Sequence, residues 1–288
     1  MCDEFIHPGL VEDSRLSRRS FGLLTVAGAG VAAAPALAQS NVTEKDVEIK
    51  TADGTCDAVL FTPAGTGIWP AVLVWPDIMG LRPAFRDLGR RLAGQGHVVL
   101  VVNPFYRSAK APVIDDKFDF SNPEQRARLM GYRGAMSDDG VDRDAVTYLA
   151  FLDAQAQTNK VRKAGVQGYC MGGTLSFRTA AAVPNRIAAV GSFHGGNGLF
   201  SKNPNSPHLL IPKTNASFLI AHAQNDDAQN VQMKEDLKAA FAAANRPATV
   251  EVYAANHGWC VKGSAVYNEA EAERAWAALS AMYKKQLA

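Results

Sequence analysis

The chain has 288 residues, a formal net charge of +2 and four cysteines. This length fits one α/β domain with a sizeable core. The scattered, nearly balanced charge argues against a nucleic-acid partner, which would require a basic stripe. No Cys or His pair has the close spacing of a zinc site, so neither a metal nor a cofactor is predicted.

Residues 1–38 are typical of a cleaved export signal. A twin-arginine pair, Arg18 and Arg19, precedes an apolar run rich in Ala and Gly, and Ala36–Ala38 offers a small-x-small cleavage site. The run is too short to span a membrane comfortably, which favours cleavage over a membrane anchor. We therefore expect the twin-arginine export machinery as a partner. Residues 39–288 would then form a soluble, monomeric, periplasmic or secreted domain.

The first half of this domain predicts a hairpin followed by a strand–helix–strand unit. Two alternating segments flank an Asp53-Gly54 turn, which indicates an antiparallel hairpin. The continuous apolar runs that follow are typical of strands buried on both faces of a parallel sheet. The predicted elements are strands 47–50, 56–62, 71–75 and 97–102 and a helix over 83–93.

An irregular polar segment, 105–139, interrupts this alternation and is expected to cover the active site. Its one predicted helix starts at 121–124, where cap residues precede a proline at the first helical turn. The remaining predictions are helix 140–156, strands 164–167, 187–193, 217–221 and 249–253, a helix over 231–244 capped by Asn230, and a closing helix over 266–285. Together they predict an α/β fold in one domain, with a doubly wound, mostly parallel sheet.

The segment Val166–Gly173 has the form of a nucleophile elbow, Gly-x-nucleophile-x-Gly between a strand and a helix. The sharp turn brings backbone segments very close together, and Gly168 and Gly172 carry no side chain to collide there. Cys170 stands at the centre, where the N-terminus of the following helix favours a thiolate. The alternative is a buried, inert cysteine. The order of strand, turn and helix favours a catalytic one.

Two later loops offer partners for Cys170. In doubly wound sheets, sites form at the carboxyl ends of the strands. Asp226 follows the strand over 217–221 and His257 follows the last strand, which gives the nucleophile–acid–His order of an α/β-hydrolase triad. His257 would act as the base and Asp226 would orient its ring. Asp227 is the alternative acid.

This constellation resembles the dienelactone hydrolase family, which has the α/β-hydrolase fold and a cysteine nucleophile. The resemblance covers residues 47–287 and rests on Gly168–Gly173, Pro76–Leu81, Pro104–Arg107 and the loops carrying Asp226 and His257. It implies an acyl-enzyme route on lactones and other activated esters. It also implies an oxyanion hole formed by the backbone N–H groups of Ile78 and Met171.

Two positions depart from the family pattern. Asp77 stands where the family usually has a Glu that tunes the thiol, and the alternative for this residue is a helix N-cap. Arg107 matches one of the two arginines that bind a substrate carboxylate in the family, although it is also read as a solvated loop residue. The second arginine is missing, and Lys262 lies near its place without the bidentate fork of a guanidinium.

Three further residues are predicted to line the substrate pocket. Tyr106 and Trp259 would form apolar walls, and His194, at the end of the strand over 187–193, would lie on the same sheet edge. A buried structural role is the alternative for His194. The histidines of this edge lack the spacing of metal ligands.

The leading hypothesis is a hydrolase that opens a lactone or a small ester through a thioester on Cys170. The missing second arginine favours, as an alternative, a general carboxylesterase acting on uncharged esters. A redox-active thiol on a hydrolase fold and a non-catalytic ligand-binding relative are further alternatives. Of the cysteines of the mature domain, Cys56 and Cys260 are either disulfide-bonded or free.

Overall fold

A central eight-stranded sheet organises the computed structural model, which describes residues 42–115 and 117–288. The predicted export signal and its cleavage site lie outside these residues. The strands are β1 Val42–Thr51, β2 Gly54–Pro63, β3 Ala71–Trp75, β4 Val98–Val102, β5 Ala164–Tyr169, β6 Ile187–Phe193, β7 Ser217–Ala223 and β8 Ala248–Tyr253.

The strand order is β1-β2-β4-β3-β5-β6-β7-β8. β1 and β2 form the predicted antiparallel hairpin, and β2 also runs antiparallel to β4. All other neighbours are parallel. The predicted α/β fold with a mostly parallel, doubly wound sheet is confirmed. Because β3 to β8 run in one direction, their carboxyl ends meet at a single edge of the sheet.

Seven α-helices accompany the strands in the described part of the chain. They are α1 Pro83–Gly94, α2 Pro123–Gly134, α3 Asp138–Asp153, α4 Met171–Ala182, α5 Gln224–Gln229, α6 Met233–Ala243 and α7 Glu269–Gln286. Apolar side chains of α1 and α7 pack on one face of the sheet, and those of α2, α3, α4 and α6 pack on the other. This two-sided covering explains why the central strands are apolar throughout.

Side chains cap the N-termini of three of the described α-helices, α2, α3 and α7. The side chain of Asn122 accepts hydrogen bonds from two backbone N–H groups at the start of α2, and Asn268 caps α7. The prediction that Asn230 caps the helix over 231–244 is wrong. Asn230 ends the short helix α5, and α6 begins at Met233. None of the helices in the described residues has the length and apolar character that crossing a bilayer requires.

Candidate active site

Cys170 lies at a sharp turn between β5 and α4. Its backbone has φ 53° and ψ −119°, in a region that non-glycine residues rarely adopt. A side chain on Gly168 would lie 1.9 Å from the carbonyl oxygen of Gly172, and one on Gly172 would lie 2.4 Å from that of Trp75. The Cys170 N–H donates to the carbonyl of Phe193 in the neighbouring strand β6. Packing on both sides therefore holds the strained backbone of the elbow.

His257, in the loop after β8, meets Asp226, in the short helix α5 that follows β7. Nδ1 of His257 lies 2.8 Å from Oδ2 of Asp226, and both side chains are almost fully buried. The backbone N–H of His257 also donates to the side chain of Asn225, which fixes the loop. Asp227, the alternative acid, instead forms an ion pair with Lys234. The geometry therefore places Asp226, and not Asp227, behind the imidazole.

The opposite side of the His257 ring faces Cys170. Burial lowers the pKa of His257, but the charge of Cys170 and the hydrogen bonds with Asp226 and Cys170 outweigh this effect and raise that pKa to about 10. An imidazolium is therefore favoured at neutral pH between a sulfur on one side and a carboxylate on the other. Such a ring can donate a proton to a leaving group.

A cavity of about 330 Å³ opens directly in front of Cys170. Ile78 and Met171, the two predicted oxyanion-hole residues, line it together with Cys170 and His257. Met171 is the first residue of α4, a position whose backbone N–H has no acceptor within the helix. Four apolar side chains also line the cavity, Phe120, Met130, Leu175 and Pro207, together with polar and charged ones.

The segment over 105–139 contributes to this cavity, as the sequence predicts. Phe120 and the α2 residues Met130 and Arg133 lie on the cavity wall. The opposite rim comes from the segment between β6 and β7, where a short 3₁₀ helix, Gly196–Leu199, is followed by Ser201–Pro207. The cavity is thus bounded by the elbow below and by these two segments above.

The structure does not place Tyr106 and Arg107 at the cavity. The Arg107 guanidinium lies 2.7 Å from a carboxylate oxygen of Asp144 and 2.5 Å from one of Asp53. The hydroxyl of Tyr106 lies 2.8 Å from Asp144 and 2.7 Å from Thr51. Their predicted substrate-binding role is corrected, because these side chains join the β1–β2 turn to α3. Their polar groups are taken by partners within the fold.

Trp259 also lies away from the cavity. It is fully buried and stacks on Tyr253, with ring centroids 4.8 Å apart, within the core on the α7 side of the sheet. Its predicted role as a pocket wall is therefore corrected to a core residue. Lys262 lines a separate small cavity on that side and does not reach Cys170.

His194 lies beside His257 and not on the cavity wall. Its ring is 1% exposed and packs edge-on against the His257 ring, with centroids 4.8 Å apart. Burial and the neighbouring His257 charge lower the pKa of His194 well below its usual range. The predicted direct contact with substrate is thus replaced by contact with His257.

Asp77 lies at the carboxyl end of β3, next to Ile78. Its carboxylate accepts from the Met79 N–H at 2.9 Å and binds the Arg82 guanidinium at 2.6 and 2.8 Å. It therefore closes a turn before α1, and the helix N-cap itself is Arg82. The N-cap interpretation of Asp77 is wrong, and its thiol-tuning role stays a prediction.

The cysteines of the described residues are all free thiols. Cys56 belongs to the core on the α3 side of the sheet, whereas Cys260 packs against the core on the α7 side. A disulfide between them would have to cross the sheet. Burial raises the pKa of Cys56 to about 12 and raises that of Cys260 well above its usual range. Neither thiol is a nucleophile at neutral pH. Cys170 differs from both because it lines the cavity.

Comparison with known proteins decides the family. The sequence profile of the dienelactone hydrolase family matches residues 56–287. The chain belongs to this family. It is 26% identical to the carboxymethylenebutenolidase of Rhodococcus opacus over 194 residues, which is 67% of this chain and 71% of the relative. As a dienelactone hydrolase family member it is a hydrolase that acts on ester bonds.

Solved structures agree on the fold. A Klebsiella pneumoniae protein assigned as a dienelactone hydrolase superposes with a TM-score of 0.73 at 23% identity, covering 85% of this chain and 99% of that one. A dienelactone hydrolase-like promiscuous phosphotriesterase, P91, from metagenomic libraries gives a TM-score of 0.67 at 20% identity, covering 86% and 100%. At these identities the likeness establishes the α/β-hydrolase fold alone.

Sequence reasoning missed two features of this family member's cavity. Arg133 lies on its wall and, among the described residues, forms no ion pair, whereas Arg178 is bound by Asp138 and Asp142. The segment between β6 and β7 also escaped notice, although it follows a strand at the carboxyl edge. Position after a parallel strand was the signal that could have identified it.

Proposed function

We propose that this dienelactone hydrolase family member hydrolyses a lactone or a small carboxylic ester through a thioester on Cys170. The sulfur attacks the carbonyl carbon and the oxyanion forms beside the N–H groups of Ile78 and Met171. The ester C–O bond then breaks, and His257 gives its proton to the leaving alkoxide. A water molecule, deprotonated by His257, attacks the thioester, and the carboxylate product leaves with the thiol restored.

One observation carries this proposal. A cavity-facing sulfur is held on a strained elbow beside an imidazole whose far nitrogen is 2.8 Å from a buried carboxylate. Such an arrangement supplies a nucleophile, a proton carrier and an orienting group in one place. Backbone donors beside the carbonyl oxygen would stabilise the tetrahedral intermediate, typically by about 3 to 4 kcal/mol each.

The test is a panel of lactones and short-chain esters assayed with the mature protein and with the Cys170→Ala and His257→Ala variants. Loss of turnover in both variants is the expected result. Undiminished ester turnover by the Cys170→Ala protein would discard the mechanism. If the protein turns over no ester and peroxide removes one titratable thiol, the redox-active thiol is favoured instead.

A specific observation favours uncharged esters as the second candidate substrate class. Arg107, which the resemblance assigns to a substrate carboxylate, is fully engaged by Asp53 and Asp144. The cation that remains on the cavity wall is Arg133. An acidic substrate would therefore have to be bound by Arg133, whereas a neutral ester would not need it.

Matched substrates separate these two classes. Arg133→Gln and, as a control on the exposed face of the same helix, Arg128→Gln are compared on a pair of esters that differ only in a distal carboxylate. A KM for the acidic ester that rises about tenfold or more in Arg133→Gln alone supports the acidic class. Equal KM values for both variants on each of the two esters support the uncharged class.

Export through the twin-arginine pathway is part of the proposal. Residues 1–38 carry its sequence signature, so the exported protein should begin near Gln39. The double variant Arg18→Lys/Arg19→Lys should stay in the cytoplasm, whereas Arg15→Lys should be exported normally. Cell fractionation and N-terminal sequencing of the exported form test this, and export of the double variant would contradict it.

A further inference from the structure

The backbone of His194 is held in an unusual conformation at the end of β6. Its φ is +38°, in the left-handed region that favours glycine. The N–H of His194 donates to the Ala221 carbonyl in β7, and the preceding carbonyl, of Phe193, accepts from the Cys170 N–H. The turn that carries His194 is thereby joined to the elbow on one side and to the β7 end on the other.

The His194 side chain is unfavourable for stability by itself. It is 1% exposed, and within the described part of the chain neither ring nitrogen has a hydrogen-bond partner. Burial of unpaired polar atoms is destabilising, and a phenyl ring would fill similar space without them. Three rings surround it: those of His257, Tyr169 and Trp259, at centroid distances of 4.8, 6.0 and 6.3 Å.

We propose that His194 is a positioning residue, whose ring packs edge-on against His257 and fixes the tilt at which Nε2 of His257 faces the Cys170 sulfur. The interplanar angle of 62° is a favourable edge-to-face geometry. The contacts with Asp226 and Cys170 hold the two ends of the imidazole, so the ring plane could still tilt about the axis that joins them. The contact with His194 removes this freedom. The inference rests on the proposed function for its kinetic consequence but not for its geometry.

Two other roles for His194 fit the structure less well. It is absent from the lining of the cavity, so direct contact with substrate is disfavoured. Its burial and the His257 charge keep the ring neutral, which disfavours a role as proton donor. The titratable groups that act electrostatically on this histidine pair are Cys170, Asp226, His222 and, on His194, Arg82.

The test compares His194→Ala, which removes the ring, with His194→Phe, which keeps it. In His194→Ala we expect kcat to fall about 10-fold to 100-fold with KM nearly unchanged, because a misplaced catalytic group slows the reaction without weakening binding. His194→Phe should recover most of kcat. Wild-type kcat in the alanine variant, or a phenylalanine variant as slow as the alanine one, would overturn the proposal.

Alkylation of Cys170 by iodoacetamide keeps this test separate from the proposed function. A well-aligned imidazole promotes the attack of the sulfur, so His194→Ala should be alkylated more slowly than the wild type and His194→Phe at a similar rate to it. If the wild-type protein turns over no ester, the proposed function fails while this comparison still decides the role of His194. Thermal unfolding of each variant confirms that the folded protein is compared.

Discussion

The charge of His257 depends on neighbours on both sides of its ring. Burial lowers its pKa, and the charge of Cys170 together with Asp226 raises it to about 10. Cys170→Ala removes the sulfur whose interaction raises this pKa, so the pKa of His257 should fall toward its ordinary value of about 6.5. An NMR titration of labelled histidine measures this shift, with Cys260→Ala as the control that leaves it unchanged. An equal pKa of His257 in the Cys170→Ala and Cys260→Ala proteins would contradict the coupling of Cys170 with His257.

Two adjacent carboxylates provide a matched pair of variants. Asp226 binds Nδ1 of His257, whereas Asp227 pairs with Lys234. Asp226→Asn should lower kcat by roughly 10²-fold to 10⁴-fold, because the amide no longer holds the imidazole in the required tautomer or stabilises its charge. The kcat of Asp227→Asn should stay within about twofold of the wild-type value. Steady-state kinetics on one ester decides this, and the reverse pattern would assign the acid to Asp227.

The positions of individual residues were predictable where a strand fixed them, and not where a loop contact did. Cys170, Asp226 and His257 each follow a parallel strand, so the topology alone brought them to one edge. Arg107 also follows such a strand, but its guanidinium turns to Asp53 and Asp144. No spacing in the sequence indicates that the β1–β2 turn reaches this loop.

The elbow is the most tightly packed element of the site. A methyl group on Gly168 would lie 1.9 Å from the Gly172 carbonyl oxygen. Gly168→Ala should therefore destabilise the fold by several kcal/mol and abolish activity. A methyl group on Gly131, in α2, would have no atom within 4 Å. Gly131→Ala should therefore raise the free energy of unfolding by about 0.4 to 1 kcal/mol. Urea unfolding compares the two, and equal stabilities would contradict the close approach of the elbow backbone.

The Arg107 network joins the β1–β2 hairpin to α3. Asp144 is 4% exposed at its side chain, so removal of Arg107 would leave a buried carboxylate without its cation. Arg107→Ala should lower the free energy of unfolding by about 3 kcal/mol with little change in KM. Lys110→Ala, which breaks an exposed ion pair with Glu48, should cost less than about 1 kcal/mol. A raised KM with unchanged stability would restore the substrate-binding role of Arg107.

Element prediction failed where a helix was too short to show a period. α5 has six residues, fewer than two full turns, so it was read as part of a loop. The long apolar strands and the capped helices α2 and α7 carried strong local signals. The bounds of these strands and of α7, and the start of α2, agree with the predicted ones to within a few residues.

The whole molecule combines a sheet that the sequence predicts well with a cavity that it predicts only in part. Apolar runs and their alternation with helices determine the sheet, since its central strands must be buried on both faces. The cavity is assembled from α2, the elbow and the segment between β6 and β7, which are distant in sequence. Side-chain contacts across such segments depend on tertiary packing, which no local pattern encodes.

Trapping of the covalent intermediate tests the central claim most directly. The protein is mixed with an activated ester, quenched in acid and digested, and the peptide that contains Cys170 is examined by mass spectrometry. A mass increase equal to the acyl group on Cys170, accumulating further in His257→Gln because deacylation is slowed, is the predicted result. Steady turnover in wild type with no acyl group on Cys170, or with the acyl group on another residue, would contradict the account.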